Sequence, residues 1–179
     1  WSRYCDEKGI SWTGHYWEHS WPNVTGVIDN MSMAAWQQTP GIDMLCNQFN
    51  EKDVHAQFGN IRSVKEVRSI ANQLGRQRVL SETYGAAGWE ATFKDMKRLA
   101  DWQMVLGVNL VNQHVGHMSL DGVRKFDYPP MFTRAASWWE NYHVLNDYIA
   151  RICTVMSLGE QVNDILVLEP TTTAWLYNN

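Results

Sequence analysis

Glu82 directly follows the apolar run Arg78-Val79-Leu80-Ser81 and precedes a loop of small residues, Gly85-Ala86-Ala87-Gly88. A carboxylate there stands at the end of a strand, and the small residues beside it leave room for a substrate. Glu18 lies between His15 and His19, with Trp12, Trp17 and Trp21 close by in sequence. A pair of carboxyl groups suits glycosidic-bond chemistry: one protonates the leaving oxygen, and the other activates water or attacks the anomeric carbon. The histidines and tryptophans can tune a carboxyl group by charge and burial. Each carboxylate also has a structural reading: Glu82 as a helix cap or a partner of Arg78, and Glu18 as a hydrogen-bond partner of His19.

The histidines raise the question of a metal. His15 and His19 are four apart, but the order is His15-Tyr16-Trp17-Glu18-His19, whereas a zinc-protease helix has the pattern H-E-x-x-H. The sequence therefore favours imidazoles that hydrogen-bond sugar hydroxyls, with a metal-dependent hydrolase as an alternative. His15, Trp17, His19, Asp43, Tyr84, Trp89, Asn112, His114 and His117 are the candidate substrate contacts. They share one feature, a place at or just beyond the end of an apolar run, where parallel α/β folds gather their chemistry. Asp43 also has a structural reading, as a residue tying strand ends together.

The elements that would position these residues alternate. Strands are expected at residues 10–12, 42–45, 78–81, 108–113 and 164–168, each apolar and bounded by turn residues. A polar, irregular stretch covers 47–62, and Ser63-Val64-Lys65-Glu66 has the form of a capping box opening a helix that Gly75 stops. Further helices are expected over 90–106, with Phe93, Met96, Leu99, Ala100 and Met104 on one face, and over 134–158, with Leu145, Tyr148, Ile149, Ile152 and Met156. Strands alternating with helices of this length imply a parallel sheet.

Composition narrows the class. The chain has 179 residues, of which 45% are hydrophobic and 19% charged, so a packed core is expected. A net charge of -4 and a pI of about 5.8 disfavour nucleic acid as partner. No apolar run is long enough to span a bilayer. Cys5, Cys46 and Cys153 are far apart and odd in number, so buried free thiols are expected. Ten tryptophans are unusual and suit either an aromatic core or a cleft lined for pyranose rings. A chain that begins with Trp1 and stops soon after a strand-like run is expected to be a piece of a longer one.

Several runs resemble large bacterial glycoside hydrolases of the α-L-rhamnosidase type (family 106 and relatives). They are Thr13-Gly14-His15-Tyr16-Trp17-Glu18-His19, Pro40-Gly41-Ile42-Asp43, Ser81-Glu82-Thr83-Tyr84-Gly85-Ala86-Ala87-Gly88-Trp89, Lys97-Arg98-Leu99-Ala100-Asp101-Trp102, Gly107-Val108-Asn109, Asp127-Tyr128-Pro129-Pro130 and Trp138-Trp139. The resemblance implies part of a (β/α)₈ TIM barrel in a larger multidomain chain. Residues 1–160 would be the C-terminal part of the catalytic barrel, and 161–179 its last strand or the start of the next domain. An eight-stranded barrel takes roughly 250 residues, so about half would be present. The resemblance further implies removal of terminal rhamnose from plant polysaccharides or glycosides, with Glu82 and Glu18 as the matching carboxylates. Calcium assistance, contacts with other domains of the parent chain, and a secreted or periplasmic location in a bacterium belong to the same expectation. A non-catalytic carbohydrate-binding protein on the same scaffold is the competing reading.

Overall fold

The computed structural model describes residues 1–16, 18, 28–45, 54–126 and 130–177, and within these the side chains of 54–59 and 124–125 are left aside. Among the described residues the α-helices and strands follow in the order α1 (Ser2–Lys8), α2 (Asn30–Ala34), β1 (Gly41–Met44), α3 (Val54–Gln73), β2 (Leu80–Thr83), α4 (Phe93–Leu106), β3 (Leu110–Gln113), α5 (Tyr142–Met156) and α6 (Thr171–Tyr177). The strands form one parallel sheet in the order β1-β2-β3. Its register sets Asp43 beside Glu82 and Glu82 beside Asn112. Side chains alternate along a strand, so these three share one face of the sheet, and Ile42, Ser81 and Val111 share the other.

The second face carries the core. Ile42 and Met44 of β1 pack with Val64, Val67, Ile70 and Ala71 of α3. Met96, Leu99, Ala100 and Met104 of α4 and Leu145, Ile149 and Cys153 of α5 continue the same cluster. Each large apolar side chain taken fully out of water contributes roughly 1.5–3 kcal/mol. The expected stripes on the helices over 90–106 and 134–158 are therefore real core faces, although Met156 at the end of α5 is 38% exposed. Cys5 and Cys153 are buried free thiols, while Cys46 lies outside the described residues.

Several boundaries differ from the sequence-based expectation. Helix α3 begins at Val54, not at Ser63, and so takes up much of the stretch expected to be irregular. The Ser63 hydroxyl donates to the Glu18 carbonyl (3.3 Å) and is buried in mid-helix, so it caps nothing. Strand β2 runs over Leu80–Thr83, two residues later than expected; just before it the Arg78 guanidinium donates to the Asn109 carbonyl (2.9 Å) and the Val79 amide to the Asn109 side chain (2.8 Å). Glu82 thus lies inside the strand. Residues 10–12 form no strand; Trp12 is held by the Gln38 side chain (3.0 Å) and by one bond from the Thr39 amide (3.2 Å). The long helix shortens to α5 because a turn and a 3-10 segment, Trp139–Asn141, precede it. Residues 164–168 form no strand, and the side chains at 165–168 stand 81–82% exposed. Among the described residues no helix is long and apolar enough to cross a membrane.

Candidate active site

The open face of the sheet gathers the chemistry. Glu82 sits in the central strand near its C-terminal end, and its side chain is 27% exposed. One carboxylate oxygen is 3.2 Å from His15 Nε2, and the other is 3.0 Å from His114 Nδ1. A carboxylate held from both sides by imidazoles has its rotamer fixed and a proton partner on each oxygen. His15 arrives from the N-terminal segment and His114 from the residue after β3, so separate parts of the chain converge on one group. Asp43 and Asn112 flank Glu82 on the neighbouring strands.

The turn after β2 keeps this cluster tight. Tyr84 has a φ of 77° and Ala86 a φ of 53°, both in the left-handed region that L side chains rarely adopt. Such residues cost about 1–3 kcal/mol and persist where the surroundings over-determine them. Tyr84 meets that condition: its ring is fully buried, stacks on Phe132 with centroids 5.9 Å apart, and its hydroxyl donates to the Met96 carbonyl at 3.0 Å. The expectation that Tyr84 contacts substrate is therefore corrected. It anchors the turn from within the core. Gly85 stands so close to the site that a Cβ there would lie 3.5 Å from the His114 ring and 3.8 Å from Asp43 Oδ1.

Glu18 also departs from its expected place. It is 3% exposed, and its oxygens accept the amides of Tyr16 (2.9 Å) and Asp43. Burial pushes its carboxyl group above the usual range, while those amides and the charge of His15 pull the other way. Its side chain joins two backbone segments, the one that carries His15 and strand β1.

The other candidates separate clearly. Asn112 is exposed on the open face, and Trp89 is exposed in the loop after β2. His117 is part-buried, and its Nδ1 has no hydrogen-bond partner among the described residues. Trp17 and His19 lie outside the described residues. Sequence reasoning missed Gln37, which is fully buried. Its amide nitrogen donates to the Gly14 carbonyl (3.0 Å) and the Tyr16 hydroxyl (3.3 Å), and its oxygen accepts the Gly41 amide (3.1 Å). It lashes the His15 segment to β1, a role no local sequence signal announces.

Calcium prefers six to eight oxygen ligands. Among the described residues no group of three or more His, Cys, Asp or Glu could hold a metal ion, and both Glu82 oxygens face imidazoles. His19, one of the four histidines of the metal-dependent reading, lies outside the described residues.

Glu82 thus stands in the central strand with an imidazole beside each carboxylate oxygen. Residues 3–175 match the family model of glycoside hydrolase family 106, described as alpha-L-rhamnosidase, and the chain belongs to that family. It is similar to the solved structure of a rhamnosidase from Novosphingobium sp. PP1Y, with a TM-score of 0.68 and 25% identity over 89% of this chain. It is also 26% identical, over 169 residues and 91% of its length, to a Formosa agariphila protein named as a beta-glucuronidase. The chain spans 15% of the first of these proteins and 13% of the second.

Proposed function

We propose that this chain forms part of the catalytic centre of a glycosidase that removes a terminal sugar, α-L-rhamnose in the first instance, with Glu82 as a catalytic carboxylate. The three parallel strands belong, in this reading, to a (β/α)₈ barrel whose C-terminal strand ends form the sugar site. The observation that carries it is Glu82, held between His15 and His114 on the open face near the end of β2. Asp43 and Asn112, its register neighbours, are suited to accept from and donate to sugar hydroxyls. The family match supports the reaction class, and the rhamnosidase neighbour supports the choice of sugar.

The test is a panel of aryl glycosides offered to the full-length chain, with Glu82→Gln as the control. The panel includes a β-glucuronide, because one relative carries that name. The expected result is release from the α-L-rhamnoside and a fall in kcat of about 10²–10⁴-fold in the variant, the usual worth of a positioned acid or base. Release from another sugar alone would keep the glycosidase and replace rhamnose. Undiminished activity in Glu82→Gln would remove Glu82 from the reaction.

A further inference from the structure

We infer that Glu18 is a positioning residue for Glu82 and not a second catalytic carboxylate; the inference rests on the reading of Glu82 above. Two of the backbone segments beside Glu82 are tied to each other through Glu18. One Glu18 oxygen accepts the amide of Tyr16, the residue after His15, and the other accepts the amide of Asp43, the register partner of Glu82. Its carbonyl accepts from Ser63 of α3 at 3.3 Å, so the brace is itself seated on the helix behind the sheet. His15, 36% exposed and 3.2 Å from Glu82, rides on this segment, which Gln37 holds as well through Gly14 and Tyr16. The brace therefore fixes where His15 and Asp43 stand relative to the reacting group.

The chemistry of the side chain explains why a glutamate is needed. A carboxylate accepts on both oxygens, whereas glutamine accepts on one and donates from the other. Glu18→Gln would set an NH₂ against a backbone N–H and release one of the two segments. Small displacements of this kind reach the reaction through geometry, where about 1 Å is worth roughly 10²-fold in rate.

The experiment compares Glu18→Gln, His15→Gln and their double variant in the full-length chain. The substrates are aryl glycosides of the sugar identified by the panel, with good and poor leaving groups. The expected result for Glu18→Gln is a fall in kcat of about 10²-fold, KM nearly unchanged, and the same factor for both leaving groups. His15→Gln lowers kcat comparably, and the double variant falls no further than the worse single one, since both act on one contact. A loss confined to poor leaving groups, or activity restored by azide, would make Glu18 a reacting group and overturn the inference. Fully additive losses would overturn it too. Should Glu18→Gln not fold, His15→Gln and Ser63→Ala carry the test: each lowers kcat without leaving-group selectivity, and wild-type rates in both refute the brace. Glu82→Gln runs alongside: if it is inactive while Glu18→Gln behaves as a lost acid, the inference alone fails. If Glu82→Gln is fully active, the functional reading fails with it.

Discussion

At the residue scale the site depends on side chains that are absent as much as on those present. The segment bearing His15 crosses β1 at Gly41, where a Cβ would stand 2.7 Å from the Gly14 carbonyl oxygen and 2.9 Å from Thr13 Oγ1. The nearer obstacle is backbone, so Gly41→Ala must push the segment outward. Overpacking of this kind costs about 1–3 kcal/mol, and the shift draws His15 away from Glu82. The expected outcome is a folded enzyme whose kcat falls about 10-fold or more; steady-state kinetics with wild-type kcat would show that the segment's position does not matter. The place of Glu82 on the sheet was legible in the sequence, because the apolar run before it reads as a strand, although β2 extends one residue past Glu82. The burial of Glu18 and its two amide bonds were not legible. Histidines and tryptophans around a glutamate look alike whether the carboxylate lines a cleft or accepts amides in the interior, and only the fold decides. Gln37 was invisible, because a buried amide owes its role to three partners distant in the chain or set by the turn before β1.

At the element scale the alternation of strands and helices was readable, and the ends were not. Helix α4 shows both sides. Its apolar face was plain from spacing, but its start is fixed by Thr92, whose hydroxyl accepts the Asp95 amide at 3.3 Å while the Asp95 carboxylate accepts the Thr92 amide at 3.0 Å. The hydroxyl also donates to that carboxylate, and these bonds hold Asp95 below the usual carboxylate range. Thr92→Ala removes the reciprocal cap and is expected to destabilise the protein by about 1 kcal/mol. Denaturant unfolding measures this, and an unchanged midpoint would mean that tertiary packing alone sets the helix start. The cap-like sequence at Ser63 fell inside α3, where the hydroxyl found a tertiary partner in Glu18. Local capping signals read the same in both places; burial and a competing acceptor separate them. The strand expected over 164–168 needed a neighbour's ladder, and an apolar run cannot supply its own.

At the scale of the whole molecule, the last part of the chain is tied back onto α3. Gln161 accepts from Arg68 (3.2 Å) and from Asn72 (3.4 Å), and Glu169 pairs with Arg62. Arg62 also meets Glu66 at 2.8 Å, and Asn30 of α2 donates to Glu66 at 3.5 Å. Two carboxylates thus share one guanidinium in a largely buried junction of three segments. Burial, and then the neighbouring Glu169, push Glu66 from 4.5 up to about 8. The sign follows from proton counting. Between about pH 4.5 and pH 8 the folded protein holds a proton on Glu66 that the unfolded chain has released, so stability falls as pH rises through that window. Below it the contribution is fully present, and above it both states are ionised and the contribution is gone. Glu18, also raised by burial, tilts the curve the same way, so the comparison must be with a variant. Glu66→Gln keeps the shape and removes the titration. Its thermal midpoint is expected to match the wild type near the acid end of the window, exceed it toward the alkaline end, and vary less with pH throughout. Parallel curves for the two proteins would mean that Glu66 stays ionised in the fold, with the shared arginine outweighing burial at the junction.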